Sequence, residues 1–93
     1  AGAAGTDPMG TSHQVGIRRS AYDPEIISIK AGDSVVWTNH DIVPHTASDL
    51  DIEWDTGSLA RGESGSITFE AAGTYEYFCI FHPHMTGKVM VQA

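Results

Sequence analysis

The sequence predicts an all-β fold, a two-sheet Greek-key β-sandwich, and three observations support this prediction. The chain has 93 residues, of which 41% are hydrophobic, and this is enough for one domain with a modest core. Its apolar runs are short, and apolar and polar residues alternate along them with the period of two that is typical of strands. Turn residues separate the runs at intervals of about 8–12 residues, as in β-sandwiches.

Three strands are predicted in the first half of the chain: 14–19, 25–30 and 34–39. The segment Tyr22-Asp23-Pro24 is expected to break the chain between the first two strands, because proline cannot donate to a ladder. In the third strand Val35 and Trp37 share one face, since successive side chains point to opposite sides of a sheet. Residues 41–63 are rich in Asp, Gly and Ser, which predicts a long loop with one short strand near residues 45–47.

Three further strands are predicted after this loop: 65–70, 74–79 and 86–92. In the second of them Tyr75, Tyr77 and Cys79 lie on one face, so that the strand ends at Cys79 on one rim of the sandwich. The last strand is predicted to begin after Met85. Residues 80–85 are therefore expected to form a short loop whose two ends are held by paired strands, which is a rigid mount for a site.

The domain is predicted to comprise residues 14–93, preceded by a flexible segment at residues 1–13. This first segment is rich in Gly and Ala, which suits a mature N-terminus, a tether or a cloning remnant, and His13 within it is given no role. No apolar run approaches the roughly 20 residues that a membrane-spanning helix needs. A membrane tether would therefore lie outside this chain.

The charge and cysteine content exclude some classes of function. The formal net charge is −7, from 12 acidic and 5 basic residues, whereas nucleic-acid binding requires clustered Lys and Arg. An acidic surface would suit a basic partner protein. The single Cys excludes a disulfide within the chain, and its thiol would need to be buried or bound to metal in an oxidising compartment.

Ligand-type side chains are concentrated near the predicted rim, where Cys79, His82 and Met85 follow the spacing C-x2-H-x2-M. Taken singly, a Cys or a Met is more often a core residue. Together, a thiolate, an imidazole and a thioether suit copper, and a trigonal site with two His and one Cys needs a second imidazole. His45 can supply it from the loop "NHDIVPHTAS", where Pro44 stiffens the approach.

The stretches "DPEIISIKAGDSVVWTNHDIVPHTAS", "WDTGSLARGESGSITFEAAGTYEYFC" and "HPHMTGKVMVQ" resemble the small blue-copper proteins, the cupredoxins, and are most similar to amicyanin and plastocyanin. The resemblance covers nearly everything from Asp23 to the C-terminus. It implies one copper ion cycling between Cu(I) and Cu(II). It implies that His45, Cys79 and His82 are the close ligands and that Met85 is the weak axial one. It also implies a periplasmic or other extracytoplasmic location.

Two residues depart from the pattern of the family near these ligands. Thr46 stands where family members often have Asn, and Phe81 stands where the amicyanin-like pattern has Pro. With Asn39, both are assigned to the surroundings of the ligands. The Phe81 amide is expected to donate a hydrogen bond to the Cys79 sulfur and so to raise the reduction potential above that of a Phe81→Pro variant.

The predicted function is outer-sphere transfer of single electrons between transient redox protein partners. A ligand set without an open position argues against an enzyme and against a small-molecule substrate, and a monomer is expected. The electrons would leave through an apolar surface around His82 or through the outward-facing Phe78 beside Cys79. His84 is expected to be an exposed neighbour, because its spacing from Cys79 does not match the family. The residues assigned to electron transfer at these two exits are Ile42, Val43, Pro44, Phe78, Pro83 and His84.

Two alternatives remain open at the level of sequence. A copper buffer or carrier would use the same ligands, but it would exchange metal fast and would not exchange electrons rapidly with itself. The chain could also be one redox domain excised from a larger protein, for which the Gly- and Ala-rich start would serve as a tether.

Overall fold

A computed structural model of the chain describes residues 10–93, and these residues form two four-stranded sheets. The first sheet has the strand order β2-β1-β4-β6 and the second β3-β8-β7-β5. Strands β1 and β4 pair in parallel, as do β3 and β8, and the other pairs are antiparallel. The described residues contain no helix, so none of them forms one able to cross a membrane. The predicted all-β sandwich is confirmed. The strands are β1 (Ser12–Arg18), β2 (Ala21–Asp23), β3 (Ile26–Lys30), β4 (Ser34–Asn39), β5 (Ser48–Asp49), β6 (Ser64–Thr68), β7 (Gly73–Cys79) and β8 (His82–Gln92).

The core lies between the two sheets and is built from the alternating faces that the sequence predicts. Trp37 of β4 and Tyr77 of β7 are fully buried, and their rings meet edge to face at 5.2 Å. Cys79 belongs to the same buried cluster, with an exposure of 0%. The rim that carries Cys79 is therefore continuous with a packed aromatic core, which holds its backbone in place.

Strand β8 begins earlier than predicted, at His82 instead of after Met85. Cys79 pairs with His82 across the β7–β8 ladder, so that only Ile80 and Phe81 lie between the two strands. The prediction of a six-residue loop at 80–85 is therefore wrong. The candidate ligands of this segment lie in paired strands, and this restricts their backbone more than a loop would.

Two smaller strands also differ from the prediction. Strand β2 forms at Ala21–Asp23, where a break is predicted, and it joins β1 through the two-residue turn Arg19-Ser20. Both turn residues have positive φ angles, 54° and 55°, as in the turns that match the twist of a β-hairpin. The strand expected at residues 45–47 is β5 at Ser48–Asp49, while His45 only forms an isolated bridge to Leu59.

His13 lies in β1, which begins at Ser12, two residues before the predicted start. Its Nε2 is 2.9 Å from Asp33 Oδ2, so the interpretation of His13 as a residue without a role is wrong. Asp33 also accepts hydrogen bonds from the amides of Thr11 and Lys30. These partners, the Thr11 amide first, lower the pKa of Asp33 to about 2. Residues 1–9 of the predicted flexible segment lie outside the described residues.

Asp33→Asn is expected to make the stability of the metal-free protein less dependent on pH under acidic conditions. The folded-state pKa of Asp33 lies below its ordinary value of 3.8, so the ionised group stabilises the fold fully above that value. This contribution is lost as the pH falls through 3.8 towards the folded pKa of about 2. Denaturant unfolding across this range should show a steeper loss of unfolding free energy for the wild type than for the variant. Equal pH slopes would contradict the assignment.

Candidate metal centre

Three candidate ligands converge at one end of the sandwich. The ligand atoms of His45, Cys79 and His82 all lie within 4.8 Å of one another. The Cys79 sulfur is 3.6 Å from Nδ1 of His45 and 3.6 Å from Nδ1 of His82. Zinc and ions of similar size form bonds of about 2.0 Å to nitrogen and about 2.3 Å to sulfur. Two such bonds that meet at an obtuse angle at the metal span the separations observed here. The donor set and its spacing therefore fit one copper ion.

Each of these side chains is positioned by paired backbone. Cys79 ends β7 and His82 begins β8, and the two residues face each other across the ladder. His45 comes from the loop after β4, and its amide and carbonyl both bond to the backbone of Leu59, at 3.1 Å and 2.8 Å. His45 and Cys79 are fully buried, whereas His82 is partly exposed. Among the three, only His82 connects the site with solvent.

Asp41 orients the imidazole of His45. Its Oδ2 lies 2.9 Å from Nε2 of His45, and because an ionised carboxylate only accepts, Nε2 carries the hydrogen and Nδ1 is left free to bind metal. The amides of Arg19 and Ser20 donate to the same carboxylate, each at 2.8 Å. Burial acts to raise the pKa of Asp41, but the amides of Ser20 and Arg19 and the imidazole of His45 together lower it below its usual value. This role of Asp41 was not predicted from the sequence.

Asp41→Asn is expected to weaken Cu(II) binding about 10–100-fold, as the loss of such outer partners of metal ligands commonly does. The anionic carboxylate makes the imidazole a stronger donor and favours Cu(II), so the variant should also have a higher reduction potential. Competition with a chelator and a redox titration measure the two effects. Asp51→Asn, which neutralises an exposed carboxylate elsewhere, is the matched control. Equal behaviour of the two variants would contradict the role of Asp41.

Asn39 and Thr46, which the sequence analysis assigns to the surroundings of the ligands, both contact the segments that carry them. The Asn39 side chain donates to the carbonyls of Val43 and Leu59 and accepts from the amide of Asp41. The Thr46 amide donates to the Cys79 sulfur at 3.4 Å. The Thr46 hydroxyl oxygen accepts from the amide of Ile80 at 3.0 Å. Thr46 therefore joins the His45 segment to the turn after Cys79 by two hydrogen bonds.

Phe81 does not make the contact that was expected of it. Within residues 10–93, the amide that donates to the Cys79 sulfur is that of Thr46, and the Phe81 amide makes no such bond. Phe81 lies in the two-residue turn between Cys79 and His82, with an exposure of 51%. The structure therefore gives no reason to expect a lower reduction potential in a Phe81→Pro variant.

Met85 is buried, with an exposure of 5%, and it belongs to the same core cluster as Cys79. It lies in β8, three residues after His82, and it points inward as Val89 does. The side chain is thus held on the core side of the strand that begins at His82. This location is compatible with a weak axial thioether ligand.

Exposed apolar side chains lie next to His45 and to the partly exposed His82 along the chain. Ile42 and Val43 precede His45 in its loop, with exposures of 82% and 45%. Pro44 and Pro83 are also exposed, as is His84, whose position agrees with its expected role as an exposed neighbour. Phe78 faces the other side of β7 from Cys79, as predicted, but it is only partly exposed because Ser48 and Thr86 pair with it on either side.

Comparison with known proteins agrees with this geometry. A family model described as copper binding proteins, plastocyanin/azurin family, matches residues 10–92. Amicyanin of Paracoccus versutus is 35% identical over 83 residues, covering 84% of this chain and 63% of that protein. Amicyanin-alpha of Methylorubrum extorquens is 38% identical over 90 residues, covering 91% of this chain and 75% of that protein.

A crystal structure of amicyanin from Paracoccus versutus superposes with a TM-score of 0.78 and 37% identity, covering 87% of this chain and 81% of that one. The chain spans just under two thirds of the length of the Paracoccus versutus amicyanin sequence, 63%. The match of the family model nevertheless extends from Gly10 to Gln92 and includes all the candidate ligands. The chain belongs to the plastocyanin/azurin family of copper-binding proteins.

Proposed function

We propose that this chain is a small type 1 copper protein that carries single electrons between redox protein partners and is not an enzyme. The observation that carries the proposal is the group of two imidazoles and one thiol, with both Nδ1 atoms 3.6 Å from the sulfur and with His45 and Cys79 fully buried. This is the donor set of electron-transfer copper sites. It lies in a chain that belongs to a copper-binding family whose amicyanin members are its relatives.

The residues that would hold copper are His45, Cys79 and His82, with Met85 as the weak axial ligand. Bound copper supplies a one-electron couple between Cu(II) and Cu(I). The chain contributes rigidity, because strands β7 and β8 and the His45–Leu59 bridge fix the ligand backbone before any metal binds. Burial of His45 and Cys79 excludes water from two of the close ligands.

Electrons would enter and leave through His82, which is the partly exposed ligand. The apolar residues around it form a small docking surface, and such surfaces suit the brief encounters of redox partners. Phe78 offers a second exit beside Cys79, next to the acidic loop that contains Asp49 and Asp51. Phe78 is less exposed than the apolar residues of the docking surface. We therefore assign the main exit for electrons to His82. The docking surface comprises Ile42, Val43, Pro44, Phe81, Pro83 and His84.

We further propose that the partners are proteins, that the chain acts as a monomer, and that it works in the periplasm or another extracytoplasmic compartment. The relationship to amicyanins supports these assignments. A single buried thiol is also compatible with an oxidising compartment when metal covers it. A copper buffer or carrier would use the same ligands. However, two of the three close ligands are completely buried, and this favours retention of the metal over rapid exchange.

The test is to add Cu(II) to the metal-free protein and to record the visible and EPR spectra. An intense thiolate-to-copper band with a narrow copper hyperfine splitting is expected, because the Cys79 sulfur lies within the group of ligands. Weak colour and a wide splitting would show that the thiolate is not a short ligand, and would overturn the proposal.

A further inference from the structure

A line of hydrogen-bonded oxygen atoms runs from the turn after Cys79 to Asp55. The Ile80 amide donates to Thr46 Oγ1 at 3.0 Å, and Thr46 Oγ1 is 2.9 Å from Ser48 Oγ. Ser48 Oγ is in turn 2.8 Å from Asp55 Oδ1. Thr46 and Ser48 are 3% and 0% exposed. We call this chain of four groups the hydroxyl relay.

Ser48 is the central donor of the relay. The ionised carboxylate of Asp55 only accepts, so the hydroxyl of Ser48 must donate to it. The same hydroxyl is also the donor towards Thr46 Oγ1, so its one hydrogen is shared between the two acceptors. Thr46 Oγ1 therefore accepts from the Ile80 amide and from the Ser48 hydroxyl. Ser48 lies between Thr46 and Asp55 and links the two.

Two further contacts fix the ends of the relay. The amide of Gly57 donates to Asp55 Oδ1 at 2.9 Å, which orients the carboxylate. At the other end Thr46 bonds twice to the Cys79 segment, through its hydroxyl to the Ile80 amide and through its own amide to the Cys79 sulfur. A rotation of the Thr46 side chain would therefore release the Ile80 amide, which follows Cys79 directly in the chain.

We propose that Asp55 and Ser48 are positioning residues for the copper site and that they act through Thr46. They hold the Thr46 hydroxyl in the one orientation that accepts the Ile80 amide and thereby fix the sulfur relative to His45. The effect of these residues on the copper site rests on the proposed function. The hydrogen bonds of the relay, in contrast, are present in the chain without metal. Ser48 and Asp55 thus extend the hydrogen bonding of the short Thr46 side chain beyond the turn.

The test combines Thr46→Val, Ser48→Ala and the double variant, with Thr68→Val as the control. Thr68 forms a similar hydroxyl pair with Ser34, at 2.7 Å, on the exposed face of the other sheet. The first readout is the hydrogen exchange rate of the Ile80 amide in the metal-free protein, measured by NMR. The second is the reduction potential of the copper-loaded protein, which a purely structural contact would leave unchanged.

The Ile80 amide should exchange about tenfold faster in Thr46→Val and about threefold faster in Ser48→Ala, as expected for the loss and the weakening of one hydrogen bond. The double variant should match Thr46→Val, because Ser48 acts only through Thr46. The potential should shift in the same direction in both single variants, and Thr68→Val should match the wild type in both readouts.

Asp55→Ala and Asp55→Asn test the end of the relay. Asn keeps an oxygen that accepts from Ser48, so Asp55→Asn should restore most of the slow Ile80 exchange that Asp55→Ala loses. Additive effects of Thr46→Val and Ser48→Ala would overturn the relay, as would a Ser48→Ala variant that behaves like Thr68→Val. If the wild type lacks a type 1 copper spectrum, the proposed function fails, whereas the exchange rates still decide whether the relay exists.

Discussion

Cys79→Ser is expected to abolish the intense visible band of the copper-loaded protein and to weaken copper binding by more than about 100-fold. The loss of an outer partner of a metal ligand commonly costs about 10–100-fold, and the loss of the thiolate itself should exceed this range. A serine hydroxyl is a poor ligand for copper at neutral pH, whereas a thiolate is a soft ligand that suits it. Chelator competition and the visible spectrum measure the two effects.

His84→Gln is the matched control for this experiment. His84 is a ligand-type residue two positions from His82, but it is exposed and lies outside the group of three ligand atoms. The variant should retain the band and the affinity of the wild type. Loss of the band in His84→Gln, or its survival in Cys79→Ser, would contradict the assignment of the ligands.

Gly87→Ala is expected to destabilise the protein by about 3 kcal/mol, towards the upper end of the usual cost of overpacking a core. Gly87 is opposite Tyr77 in the β7–β8 ladder, and a Cβ at this position would lie 2.4 Å from Cζ of Tyr77. The Tyr77 ring cannot yield easily, because Tyr22 and Trp37 pack against it at centroid distances of 4.6 Å and 5.2 Å. Denaturant unfolding of the metal-free protein measures the loss.

Gly16→Ala provides the control, since it adds the same methyl group to a strand of the other sheet. Its Cβ would lie 2.5 Å from Nη1 of Arg18, which is the far end of a flexible and exposed side chain. The guanidinium can move away, so the expected change is below about 1 kcal/mol. Similar losses in both variants would show that the fixed ring of Tyr77 is not the cause.

The sequence predicts the buried faces well because alternation is a local property. Val35, Trp37, Tyr77 and Cys79 each lie inward as their positions in the strands require. The spacing of Cys79, His82 and Met85 is equally local. His45 lies 34 residues before Cys79, so only the chemistry of a copper site and the resemblance to a family point to it. The structure brings His45, Cys79 and His82 together.

The features that the sequence does not predict depend on contacts between distant segments. The turn Arg19-Ser20 lacks the Asn or Gly that usually marks a two-residue hairpin. It is held by the carboxylate of Asp41, more than 20 residues further along the chain. Asp41 is in turn recognisable as a partner of His45 only once this turn and the imidazole are both in place. The early start of β8 depends in the same way on its pairing with the end of β7.

Exchange of electrons by the copper site is tested most directly by the electron self-exchange rate. NMR line widths of the reduced protein are measured as oxidised protein is added, at moderate salt so that the net charge of −7 does not keep the molecules apart. We expect lines that broaden in proportion to the oxidised fraction, while copper stays bound in the presence of a chelator. Sharp lines that do not change, together with rapid transfer of copper to the chelator, would contradict this expectation and identify a copper carrier.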